Sequence, residues 1–311
     1  MNINNNFTPL AWHKGNIELQ SNRATYAYGH IVPLIAHYQT LLPFQIITES
    51  DEVDMSSYNV ALYNLDGTVK VANVQLGLVK VVASEIGCDV LVYDGHNLAY
   101  NLPIGQYYLV LTSTVNNVTN TWYSDVVTIV SDVSTMTRIE WWDANDLMFA
   151  AGRIVYPFTE DGTYKQYKNR MYFLEEIGMP EYTVDEEGDP RDGLFYASKI
   201  LSGKKYKMQV AQLTEAMCDA LRFVHLSDNV VVRDGYGRTY QCDSVLVTPE
   251  WQDGAVASAS IEITTDTFVK QVGGGYTGES PVVPTEVTDT IGNTAIIGRN
   301  FVIGYSEINN N

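Results

Sequence analysis

Eight carboxylates between positions 175 and 192 are the densest set of chemistry-bearing side chains in this 311-residue sequence: Glu175, Glu176, Glu181, Asp185, Glu186, Glu187, Asp189 and Asp192. Such a set is the raw material of a calcium loop or of a paired acid–base catalyst. A calcium loop begun at Asp185 has acids at its first, third and fifth positions. Pro190, however, stands where glycine must make the sharp turn, and Tyr196 stands where a bidentate glutamate must close the site. The stretch Glu181–Gly193 is therefore read as a solvated or partner-facing acidic loop, and no metal is expected. Glycoside hydrolysis needs two carboxyl groups held about 5–10 Å apart. With 37 acidic residues in the chain, sequence spacing singles out no such pair.

The remaining nucleophiles and ligands are scattered. His13, His30, His37, His96 and His225 share no metal-binding spacing, and Ser227 near His225 has no nucleophile elbow around it. No phosphate loop or dinucleotide fingerprint occurs. Cys88, Cys218 and Cys242 are odd in number and far apart, so they read as reduced thiols rather than a disulfide framework. The expectation is a non-enzyme with no catalytic residue, no cofactor and no metal site. Trp141, Trp142 and the 21 tyrosines offer an alternative, a carbohydrate-binding or adhesion module using surface aromatics. Aromatics of this kind fill cores and protein interfaces equally well.

The elements that position these residues are mostly strands. Tyr206, Met208 and Val210 alternate with Lys205, Lys207 and Gln209, the period of a half-buried strand. From Gln212 to Val224 the spacing changes. Leu213, Met217, Ala220, Leu221 and Val224 form one helical stripe, with Thr214 placed to cap it. Val230–Arg233 and Thr239–Cys242 flank Asp234-Gly235-Tyr236-Gly237, a hairpin signal in which glycine supplies a positive φ. Val245–Val247 is expected to end as a strand at Pro249, and the run from Ala255 to Lys270 alternates again around Ile261 and Ile263. One helix packed on an antiparallel sheet accounts for all of this.

Upstream, the segments 41–47, 59–64, 69–74, 79–82, 90–93, 107–111 and 122–130 read as short strands. Turn formers separate them at the spacing of an immunoglobulin- or fibronectin-like sandwich. The fold class is thus mainly β, with an N-terminal β-sandwich, an α+β second domain and an extended C-terminal arm. The expected division is a lead-in at 1–25, a sandwich at 26–135, an α+β domain at 136–272, and a linker with arm at 273–311. In the last segment Gly273-Gly274-Gly275 and two prolines precede the apolar run Thr294–Ile303. That run cannot bury itself. It folds back on its own chain or adds to a neighbour's sheet edge, with the neighbour favoured.

The net charge of −18 is spread along the whole length: 4 basic against 11 acidic residues over 1–136, 14 against 22 over 137–272, and 1 against 4 beyond. Such a field repels phosphate backbones, so sequence-specific nucleic-acid binding is not expected, although DNA could pass nearby. The first residues, Met1–Asn6, show no secretory signal, and no apolar run approaches membrane-spanning length. Synthesis in a cytoplasm and no membrane partner are expected.

Several stretches together resemble structural proteins of tailed-bacteriophage tails, in particular those of crAss-like and related phages of Bacteroidetes. They are Leu41–Ile46, Asp185–Asp189, Thr214–Leu221, Arg233–Tyr240 and Pro249–Asp253, within a likeness of style and order over most of residues 30–270. The resemblance implies a virion component without enzymatic activity, built into a ring or hub by contacts with copies of itself and with other tail or portal-proximal proteins. The residues expected to make those contacts are Phe7 and Trp12 in the lead-in; Glu181, Asp185, Glu186, Glu187, Asp189 and Asp192 in the acidic stretch; and Ile296, Ile297, Phe301, Val302 and Ile303 in the arm.

Overall fold

The computed structural model describes residues 7–14, 34–47, 58–65, 69–71, 79–83, 88–96, 98–115, 117–143, 148–149, 154–155, 158–160, 163–165, 167–191, 194–252 and 256–271. Its first ten strands are β1 (Trp12–Lys14), β2 (Leu34–His37), β3 (Phe44–Ile47), β4 (Tyr58–Asn64), β5 (Val69–Val71), β6 (Val79–Ala83), β7 (Cys88–Tyr93), β8 (Gly105–Val115), β9 (Val118–Ser124) and β10 (Val127–Val130). Strands β3, β7 and β6 form one layer in that order. In the other, β8 takes β4 on one side and β9 followed by β10 on the other, β5 extends β4, and β1 and β2 line the outside of β9 and β10.

The pairing of β2 with β10 is parallel, and every other pairing in this part is antiparallel. This is the connectivity of an immunoglobulin-like sandwich. The Tyr107 hydroxyl donates to the Ile104 carbonyl at 3.3 Å, the corner bond that pins the entry to the long strand in such sandwiches. The same loop, leading into β8, is tied down by Leu98 N–H to Gln39 O at 2.6 Å and Leu102 N–H to Tyr38 O at 2.8 Å.

The second part comprises β11 (Thr137–Trp142), four short strands in two hairpins (β12, Met148–Phe149, with β13, Ile154–Val155; β14, Phe158–Glu160, with β15, Thr163–Lys165), β16 (Asn169–Phe173), β17 (Glu181–Arg191), β18 (Leu194–Thr214), helix α1 (Glu215–Arg222), β19 (Asn229–Arg233), β20 (Thr239–Gln252) and β21 (Val256–Gln271). Seven of these strands make one antiparallel sheet in the order β16-β11-β19-β20-β21-β18-β17. On its inner face Tyr206, Met208, Val210, Val245, Ala259, Ile261 and Ile263 are buried together with Met217, Ala220 and Leu221 of α1. Helix packed on antiparallel sheet is thus the architecture found.

The helix is shorter than its apolar stripe. Residues 212–214 finish β18, and Thr214 Oγ1 accepts from the Met217 amide at 3.2 Å, which caps the first turn. Two further expectations are corrected. β20 does not stop at Pro249 but pairs through it to Gln252. From Ser244 onward its one partner strand among the described residues is β21, and an edge strand of this kind tolerates a proline. In the β19–β20 turn the positive φ is carried by Gly237, at +82°, and not by Gly235. Gly235 is needed for a different reason: a Cβ there would lie 2.3 Å from the Thr135 carbonyl oxygen.

The two sheet systems share one continuous apolar core. Phe7 packs tilted against Phe223 just past α1 with ring centroids 4.7 Å apart, and Arg170 on β16 donates to the Gly95 carbonyl at 3.3 Å. No helix among the described residues is long and apolar enough to cross a membrane. Ile17, Asp192, the glycine linker and the run Thr294–Ile303 lie outside the described residues.

Candidate functional site

The acidic stretch read as a loop is β17, an edge strand. Glu181, Asp185 and Glu187 therefore fall on one face of the sheet and Glu186 on the other, and no three acids among the described residues are grouped to hold a metal ion. Near Cys242 the neighbouring strands part. The register shifts between Cys242 and Ser244 on β20 and between Ser202 and Lys204 on β18. There β20 leaves β21 to pair with β19, and the displaced Asp243 carboxylate accepts the Thr267 amide at 2.8 Å. Beyond this level three strands continue without the others: β17 from Thr183, β18 back to Leu194, and β21 out to Gln271. Ten residues of β18 extend this arm by about 33 Å.

The arm has no core. Among its described side chains, from Thr183 to Ser202 and at Thr267 and Phe268, none is buried. Direct cross-strand partners share a face, so Val184, Ser202 and Phe268 form one row, with Glu186 and Ile200 in the next. Tyr182 lies on the same side one row nearer the core, opposite Lys204. Three large apolar groups are open to solvent here: Tyr182 at 74%, Val184 at 63% and Phe268 at 47%.

Two of the β17 acids are engaged across the ladder, Glu187 with Lys199 at 3.3 Å and Glu181 with Lys207 at 3.2 Å. Asp185 and Glu186 face Leu201 and Ile200 and make no ion pair among the described residues. Among the described residues the outer edge of β17 carries no partner strand. It has devices that discourage indiscriminate pairing at its far end, a register shift between Glu187 and Gly188 followed by Pro190. From Glu181 to Glu187 the backbone runs without a proline or a break in register.

The expected contact residues thus separate. Glu181, Asp185, Glu186, Glu187 and Asp189 stand together on β17. Phe7 lies elsewhere, half-buried against Phe223 with the Arg222 guanidinium 5.4 Å from its ring. Trp12 is a core residue, 4% exposed and edge-on to Phe44 at 5.2 Å, so its indole has no surface to give a partner. Reasoning from the sequence passed over Tyr182, Val184 and Phe268. The signal was present: a tyrosine and a valine two apart within an acidic run match no buried stripe.

The sugar-stacking candidates fare differently. Trp141 is fully buried on β11, and Trp142 is half-covered with the Lys168 ammonium 4.2 Å from its ring centre. Trp251, near the end of β20, is 52% exposed. Ser227 donates to the Phe223 carbonyl at 3.0 Å and sits 3.5 Å from Asp143, which also accepts the Asp228 amide at 3.0 Å. That arrangement closes the end of the helix rather than activating a nucleophile. Burial pushes the Cys218 and Cys242 thiols up to about 11 and about 12, so both stay protonated at neutral pH.

No protein-family model matches this chain, and no curated protein and no solved structure matches it.

Proposed function

We propose that this protein is a non-enzymatic structural component of a bacteriophage tail that forms an oligomeric ring or hub through protein–protein contacts and exchange of strands or arms. One observation carries the reading: a three-stranded arm that extends beyond the core and exposes Tyr182, Val184 and Phe268 on one face. A sheet that leaves its own core holds apolar surface for something else to cover. The likeness to tail proteins supplies the context, in which the neighbours are copies of the chain and other tail or portal-proximal proteins within a virion. The acidity along the whole chain suits a surface past which DNA slides without sticking.

The test is the mass of the purified protein in solution, for the full chain and for a chain ending at Val272. A multimer that dissociates on truncation is the expected result. A monomer at high concentration for the full chain counts against assembly by arm exchange.

A further inference from the structure

We propose that the free edge of β17, from Glu181 to Glu187, receives the segment Thr294–Ile303 as an added antiparallel strand. This deepens the assembly reading above and rests on it for the origin of the segment, a neighbouring copy.

The edge and the segment match in length, pattern and charge. Glu181–Glu187 offers an outer edge of seven residues in unbroken register, with no partner strand among the described residues, and an extended segment adds to such an edge through main-chain hydrogen bonds. The open edge of β20 is a poorer receptor, because Pro249 interrupts its donors. On β17 the side chains on the Phe268 side are Tyr182, Val184 and Glu186, two apolar groups and then an acid without an ion pair among the described residues. One parity of the segment reads Ile297, Arg299, Phe301, Ile303: apolar groups and a single base, with no acid anywhere in the ten residues. Antiparallel pairing sets Arg299 opposite Glu186, Phe301 opposite Val184 and Ile303 opposite Tyr182. The apolar row Val184–Ser202–Phe268 then continues onto a fourth strand.

Reach is not limiting. The described chain leaves the sheet at Gln271, at the tip of the same arm, and the residues from there to Thr294 span up to about 75 Å when extended.

The experiment is backbone amide exchange of Glu181–Glu187 in the full-length protein, with the solution mass measured on the same samples. Wild type is compared with Phe301→Asp, Glu186→Arg, Arg299→Glu and the double exchange Glu186→Arg/Arg299→Glu. Phe301→Asp is expected to speed exchange at this edge by about tenfold or more. Each single charge reversal is expected to do so in part, and the double exchange to restore protection. Equal exchange in wild type and Phe301→Asp overturns the proposal, as does a double exchange no better protected than the singles. Protection that depends on Phe301 in a protein of monomer mass leaves the edge assigned and overturns the assembly reading instead.

Discussion

Two buried aspartates show how one residue type does opposite work in this chain. Asp234 accepts from the Tyr236 amide at 3.0 Å, the Arg238 amide at 2.8 Å and the Arg238 side chain at 2.6 Å, and the Tyr240 hydroxyl lies 3.2 Å away. Burial by itself would push its carboxyl up, but these donors and the Arg238 charge hold it below the ordinary carboxylate range. Asp143 has fewer donors, so burial wins and its carboxyl is raised. The consequences with pH differ in sign. A depressed folded-state value gives stability that is present above the unfolded value and lost as pH falls through the folded one; a raised value does the reverse. Asp234→Asn is expected to cost roughly 1–3 kcal/mol at neutral pH, from the lost charge-assisted bonds. The variant should also lose less stability than wild type on acidification. Urea midpoints at pH 7 and below the ordinary carboxylate range check this. Parallel losses in both proteins would show that Asp234 contributes nothing dependent on its charge.

At the level of elements, the turn between β19 and β20 is where the second sheet meets the segment joining it to the sandwich. Gly237 has a positive φ, so alanine there costs about 1–2 kcal/mol from the backbone alone. Gly235 has no such φ, yet its Cβ position falls on the Thr135 carbonyl, part of the backbone and unable to swing aside. Gly235→Ala is therefore expected to lower the thermal midpoint more than Gly237→Ala. The opposite ranking would mean that the contact with Thr135 yields without cost. The sequence pattern made this hairpin visible, but it could not tell which glycine answers to φ and which to space, since the second depends on a residue a hundred positions away. The same limit explains the acidic stretch. Alternation was legible for Tyr206–Val210 and Ile261–Ile263 because one face of those strands is buried. Along β17 neither face is buried, and a strand open on both sides has no hydrophobic period to read. Trp12 is the converse case, a large aromatic near the chain start whose burial depends on Phe44 from a distant strand.

For the molecule as a whole, strand order differs from chain order in one respect that matters. β21, the last strand described, lies between β20 and β18; it pairs with β18 along its length and with β20 from Val256 to Thr265. Synthesis therefore delivers β17 with β18, and β19 with β20, before the strand that joins them exists. Until Val256–Gln271 arrives, Met208 and Val210 on one hairpin and Val245 on the other have no middle strand between them, and two long edges stand open. Such edges are sites of misassociation during folding. A chain ending at residue 255 is expected to be recovered as aggregate, whereas one ending at 272 stays soluble. A soluble, cooperatively unfolding product from the shorter chain would show that the hairpins stand alone. Placing the last strand in the middle makes the sheet a checkpoint on completeness: a chain interrupted before position 256 cannot build the base from which the arm projects, and so cannot present that arm to an assembly.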